Sequence, residues 1–477
     1  SMALINKTHL KKFKNKTNEW FNRSIDQHVT LAVTGLSRSG KTAFITSLVN
    51  QLINESNGAQ LSFFNPVHQG RFIAAKRVPQ KHFNVARFDF DKAMTAFCVE
   101  PAIWPEPTHG ISELRLAIRY QPHDSLLKYA TDIATLYLDI TDYPGEWLLD
   151  LPMMNLSYQQ WSAQTCELLS QAPRKEAGAD FLEKLSKLDL LQPSDEDLLA
   201  ELSQEYTRLL HHFRFQQGLS VIQPGRFILP GELAGAPVLQ FIPFPGLEDL
   251  DSERYQKAGE DTLLGMLKAR YQAYVQDVVV KFYKQHFVNF DRQIVLADCL
   301  TPLNNGRESF ADLQQAIGLI MQSYQYGRSG LLSRLFSPKI DRLLFAATKA
   351  DHVTPEQHPH LVALLNQLIH STRQELNFEA IDIKTLAIAA VKTTEAGKSL
   401  HQGEEVPVIR GRRLSDNQKI TVFPGTVPAK LPKAQYWQQM AFNFIAFAPG
   451  SLHGAGEALP HVRMDQVLEF LLGDKMA

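Results

Sequence analysis

Hydrophobic and polar positions divide the 477-residue chain into segments of contrasting period. Residues 4–27 set Leu10, Phe13, Trp20 and Phe21 against Lys7, Lys11, Lys12, Lys14, Lys16 and Arg23, which predicts an amphipathic helix. Val29–Val33 predicts a strand, followed by a glycine-bounded loop and a helix over Thr42–Leu52. Residues 55–109 are mixed in composition and rich in proline, and mostly loop is expected. Ser112–Tyr120 alternates, with Leu114, Leu116, Ile118 and Tyr120 on one face and Glu113, Arg115 and Arg119 on the other. That period marks a half-buried strand, expected in an antiparallel pair at a sheet edge. Ala134–Ile140 is more continuously apolar and reads as a central strand.

Helical periodicity dominates 156–216 and 252–289, interrupted by the proline- and glycine-rich stretch Gln223–Gly246. Strand patterns resume at Gln293–Ala297, Arg342–Ala347 and Thr385–Ala390, separated by helical segments near 307–323 and 355–376. Alternating strands and helices predict an α/β fold with a mostly parallel sheet. The expected organisation is a basic N-terminal helix (1–28), a first core part (29–150), a mostly helical insertion (151–290) and a second core part (291–399). A small β extension (400–460) and a C-terminal helix (461–477) complete it.

Composition narrows the class. A hydrophobic fraction of 44% and a charged fraction of 21% suit a globular protein. The net charge of −1 gives nucleic acid no electrostatic footprint, and none is expected as a partner. Cys98, Cys166 and Cys299 are widely spaced, which fits a reducing compartment and offers no metal cluster. No apolar run is long enough to span a bilayer, and the polar, lysine-rich start does not read as a secretion signal. Ser1 ahead of Met2 reads as a cloning remnant. A cytoplasmic protein is expected. The basic N-terminal helix leaves two readings open: peripheral contact with an anionic inner-membrane face, or packing on the core with its lysines solvated.

Residues 35–42, Gly35-Leu36-Ser37-Arg38-Ser39-Gly40-Lys41-Thr42, match G-x4-G-K-[ST] between a strand and a helix. Glycines let backbone N–H groups wrap a phosphate, and the helix N-terminus adds positive potential. Lys41 is expected at the β- and γ-phosphates and Thr42 on Mg²⁺. The bland alternative is an ordinary strand–helix turn. An apolar strand then ends in Asp139-Ile140-Thr141-Asp142-Tyr143-Pro144-Gly145-Glu146. Asp142, three residues before Gly145, suits a Mg²⁺ water, and the Gly145 N–H suits the γ-phosphate; Asp139 is left as a structural acid. Thr348-Lys349-Ala350-Asp351 follows another apolar strand. A carboxylate accepts from guanine N1–H and the N2 amine, whereas adenine offers neither. The backbone near Ala390 and Val391 is a candidate contact for guanine O6.

The order of these motifs resembles the Ras-like GTPase superfamily. The whole chain resembles the YcjX family of bacterial proteins, through G-L-S-R-S-G-K-T at 35–42, L-D-I-T-D-Y-P-G-E-W at 138–147, G-R-F-I-L-P-G-E-L-A-G-A-P at 225–237 and T-K-A-D at 348–351. The resemblance implies a six-stranded Ras-like core with one antiparallel strand, GTP or GDP with Mg²⁺ as ligands, and a link to bacterial envelope stress. Glu146 stands where Ras-like proteins place a water-orienting Gln, which predicts slow hydrolysis. Arg38 sits where small residues are usual, as a phosphate-reaching arginine or a solvent-facing one. Thr108 is the expected switch threonine, with Thr95 its rival. Three functions stay open: a regulatory GTPase acting on an unknown protein effector, a P-loop ATPase, and a nucleotide-binding scaffold with little catalysis.

Overall fold

The computed structural model describes residues 26–36, 38–57, 59–123, 133–326, 338–373, 381–439 and 443–477. Most of the helix expected over 4–27, and Ser37, lie outside the described residues. The central sheet has the order β2-β4-β5-β1-β6-β7-β8, with β3 beside β4. The strands are β1 (Gln27–Gly35), β2 (Phe72–Val78), β3 (Ala86–Arg87), β4 (Ser112–Tyr120), β5 (Ala134–Asp142), β6 (Arg292–Ala297), β7 (Arg342–Ala347) and β8 (Asp382–Ala387). From β5 to β8 every pairing is parallel, and β4 runs antiparallel to β5. The expected mostly parallel α/β core is therefore present, as the six strands from β4 to β8.

The expectation of an edge strand needs correction. Ser112–Tyr120 is not the sheet edge, because β2 pairs antiparallel along its outer side. Two of its polar positions meet neighbours, while Arg119 stays exposed: Arg115 holds Asp139 through bonds of 2.7 and 2.9 Å, and Glu113 accepts from His82. Alternation there records lateral ion pairing, and the sheet is larger than six strands. Residues 55–109 are mostly loop, as expected, but also contribute elements that the sequence did not announce. They form β2, β3 and the helix Phe90–Cys98, capped by Asp89, whose carboxylate accepts from Lys92 N at 3.0 Å. β2 was illegible because its side chains are largely exposed, as an edge strand permits.

The sheet separates two apolar layers. Val29, Leu31 and Val33 of β1 face α1 (Lys41–Ile53), α2 (Phe90–Cys98) and the C-terminal helix Met464–Leu472. Ala32, Val295 and Phe345 point the other way, toward α3 (Gly145–Asp150), the insertion and the helices Arg307–Tyr326 and His358–Arg373. Several insertion helices start at side-chain caps: Ser157 with Gln160 for Tyr158–Leu169, Asp195 for Glu196–His211, and Thr262 for Leu263–Tyr274. Trp161 sits at their centre, 5.5 Å from Phe241 and 5.4 Å from Tyr271 between ring centroids. The stretch Gln223–Gly246 folds inward and buries Phe227, Phe241 and Phe244. Tyr143, Phe282 and Phe290 carry this aromatic core onto the sheet without a break. A separate antiparallel sheet, β9 (Thr394–His401), β10 (Glu404–Arg412) and β11 (Lys419–Val422), follows β8. Among the described residues no helix is long and apolar enough to cross a membrane.

Trp161 is fully buried, so Trp161→Ala is expected to lower unfolding free energy by about 3–5 kcal/mol. Guanidinium melts monitored by circular dichroism measure this.

Candidate nucleotide-binding site

The loops after β1, β7 and β8 and the start of α3 enclose one cavity of about 650 Å³. Gly35, Arg38, Ser39, Gly40, Lys41, Thr42, Thr108, Gly145, Glu146, Thr348, Lys349, Asp351, Ala390 and Val391 all line it. Motifs separated by hundreds of residues thus meet on one surface, because parallel strands deliver their C-terminal ends to the same side of a sheet.

Local backbone explains the glycines. Gly40 takes φ 79°, and a Cβ on Gly35 would lie 1.9 Å from Ser39 Oγ. A Cβ on Gly145 would lie 2.4 Å from Gly35 O, so the start of α3 rests directly on the phosphate loop. Thr34 Oγ1 donates to Tyr143 O at 2.8 Å, which ties the same two segments.

Asp142, outside the cavity lining, is fully buried at the end of β5. Lys41 Nζ is 2.6 Å from its Oδ1, and Thr108 Oγ1 donates to its Oδ2 at 2.6 Å, with Ser112 Oγ at 3.3 Å. The Oδ1 contact is ionic and lies outside hydrogen-bond geometry. Asp139 is occupied by Arg115, so the two acids of this strand end are segregated. Thr95 lies away from the cavity and donates to Asp91 O within its own helix. Among the described residues no three His, Cys, Asp or Glu side chains converge as a metal cage. Hydroxyl and carboxylate oxygens around Asp142 suit the hard, water-retaining Mg²⁺.

At the other end, Lys349 adopts φ 63° and its ammonium donates to Asp298 Oδ2 at 2.6 Å. Burial alone would raise the Asp298 carboxyl; Lys349 and Thr301 outweigh it and hold the group below its usual range. Asp351 accepts from Thr393 N at 2.6 Å and Thr393 Oγ1 at 2.7 Å on Oδ2, and pairs with His352 Nδ1 at 3.0 Å on Oδ1. Burial opposes ionisation here as well, but His352 and the Thr393 donors prevail and lower its pKa. Oδ1 keeps one further acceptor position.

Several cavity residues escaped sequence reading. Arg214 and Phe215 come from the insertion, and Leu414 and Phe447 from the region of the small sheet. Arg214 Nε lies 2.8 Å from Glu146 Oε1, and Arg38 Nη2 donates to Phe215 O at 3.3 Å. Trp104 also lines the cavity, and its Nε1 donates to Phe447 O at 3.0 Å. No spacing in the chain announces these contacts. Asp298 did carry a signal, since an acid directly after an apolar strand repeats the pattern of Asp142.

The insertion also grips α3. Gln223 Nε2 donates to Leu149 O at 2.6 Å, and Arg226 stacks 3.7 Å above Trp147. Asp150 accepts from Gly225 N at 2.9 Å and Tyr274 Oη at 2.6 Å. Burial pushes the Asp150 carboxyl up to about 7, overriding the Tyr274, Gly225 and Arg226 contributions that lower it.

A glycine-bounded loop on a parallel sheet, with an acid–glycine turn and a T-K-x-D strand end sharing its cavity, defines the Ras-like P-loop GTPase fold class. The chain belongs to the YcjX-like family, DUF463, which matches residues 29–476. It is 49% identical over 467 residues to the Ras-like GTPase YcjX of Escherichia coli (strain K12), covering 98% of this chain and 100% of that protein. It is 43% identical over 478 residues to the Ras-like GTPase YcjX of Shewanella oneidensis, covering 98% of both chains.

Asp150 gives a pH prediction. Between its ordinary 3.8 and about 7, the folded protein keeps a proton that the unfolded chain has released. This group's contribution to stability is therefore full below the lower value and is lost as pH rises toward the upper one. Asp150→Asn should flatten that slope, and urea melts across the window measure it.

Proposed function

We propose that this protein binds GTP and GDP with Mg²⁺, hydrolyses GTP slowly, and changes the seating of α3 between the two nucleotide states. The observation that carries the reading is Asp351: an ionised, nearly buried carboxylate with an acceptor position left, on the wall of the cavity that the phosphate loop lines. The names of the two relatives, both Ras-like GTPases, support it.

Lys41 is paired with Asp142 at 2.6 Å. A triphosphate is the stronger partner and draws the ammonium to its β- and γ-oxygens. Asp142 and Thr42 would hold Mg²⁺, and the Thr108 hydroxyl, now on Asp142, would be within reach to join them. Bound Mg²⁺ supplies neutralising charge on the β- and γ-oxygens. Asp351 receives one guanine donor on Oδ1 and the other on Oδ2 once the Thr393 hydroxyl turns away from it, so that N1–H and the N2 amine are both met; the Lys349 stem lies along the base, and backbone at Ala390 and Val391 meets O6. The Gly145 N–H reads the γ-phosphate, and its loss on hydrolysis loosens α3 against Gly35. Through Leu149, Asp150 and Trp147 that change passes to the insertion, which would present it to a protein effector. Turnover without a partner is expected below about 1 s⁻¹. A bacterial stress response is the setting suggested by the family resemblance.

Calorimetric titration with Mg²⁺ tests the reading. GDP and GTP should bind at micromolar or tighter dissociation constants, with ATP weaker by at least about 100-fold. Lys41→Ala should lose triphosphate binding, and Asp351→Asn should move preference from guanine to xanthine nucleotides. Equal binding of ATP and GTP would remove the guanine assignment. For the N-terminal segment, sedimentation with anionic liposomes of the full chain and of a chain lacking residues 2–24 decides between membrane contact and packing on the core.

A further inference from the structure

We propose that Arg214 of the helical insertion is a catalytic arginine supplied within the chain, one that neutralises charge on the γ-phosphate during hydrolysis; this rests on the GTPase reading above. The insertion residues Arg214, Phe215, Ile228 and Leu229 line the cavity, and of these four only Arg214 carries charge.

Its placement is built, not incidental. Helix Glu196–His211 continues into a π-helical turn, His212–Gln216. The wider turn sends Phe213 into the core beneath Arg174 and leaves Arg214 on the cavity side. Arg38, from the phosphate loop itself, holds the turn through Phe215 O at 3.3 Å. Arg214 Nε then meets Glu146 Oε1 at 2.8 Å, with both side chains mostly shielded, at 17% and 10% exposure.

Glu146 follows Gly145 directly, so it stands beside the γ-phosphate position. Alone, its charge would oppose the anionic substrate. Arg214 cancels that charge. Its planar fork carries five N–H donors, so one guanidinium can serve both the carboxylate and a phosphoryl oxygen. In the reaction a water oxygen bonds to the γ-phosphorus and the bond from phosphorus to the β–γ bridging oxygen breaks. The electron pair leaves with GDP, and the water proton passes to the departing inorganic phosphate. Charge grows on the bridging and equatorial oxygens, where a preorganised cation stabilises most.

Aluminium fluoride, which with GDP mimics the transferring phosphoryl group, provides a readout separate from turnover. With Mg²⁺ and GDP the parent protein should give a saturable change in tryptophan fluorescence on adding it, and GDP release should slow. Arg214→Ala should abolish the fluoride response, keep GDP affinity within about threefold, and cut single-turnover hydrolysis by about 1,000-fold. Gln223→Ala, which removes a docking contact of the insertion but leaves the arginine, should respond like the parent. A fluoride response retained in Arg214→Ala, or lost equally in Gln223→Ala, overturns the proposal. A parent that binds GDP without any response overturns it while leaving the nucleotide reading intact; a parent that binds no GDP removes both.

Discussion

A short helix pressed between two backbones is the constraint on which this structure depends. On one side, Gly145 leaves no room for a methyl before Gly35 O; on the other, a Cβ on Gly225 would lie 2.7 Å from Glu146 Cβ and 2.8 Å from its carbonyl. Close-packed interiors cannot absorb a shift of that layer by compression. A movement of α3 away from the phosphate loop must therefore be passed to the insertion, whose Gln223, Gly225 and Arg226 already hold it.

The cavity is also a set of matched charges. Lys41 faces Asp142, Lys349 faces Asp298, and Arg214 faces Glu146. Each pair unites distant parts of the chain, and each is at least partly shielded, where a charge without a partner is costly. Such pairs balance these three cations and still leave them within reach of an anionic ligand such as the proposed nucleotide. The same logic reconciles Glu146 with an anionic ligand: the carboxylate comes with its own counter-charge.

Local signals and assembled ones differed sharply in legibility. The phosphate loop, Asp142, Gly145 and Asp351 could be read because each is a short run whose neighbours define a strand end. β1, β4 through β8 and their helices were legible from period. The edge strand β2 was not, since exposure removed its apolar pattern, and the helix Phe90–Cys98 was passed over although Phe90, Ala93, Met94 and Phe97 follow helical spacing. Arg214 and Phe447 were beyond reach. Nothing near either residue names its destination; a π-helical turn and a packed β extension place them.

Trp104 has a consequence of its own. Its indole is bonded to Phe447 O, and Thr108, which touches Asp142, is only four residues further along. The wall beside the proposed purine end and the segment proposed to reach the metal are thus stitched together. Prising the small sheet outward to free a spent nucleotide would tug the threonine segment with it. An exchange factor could then grip the molecule far from the phosphates and still erase both halves of the bound state in one stroke.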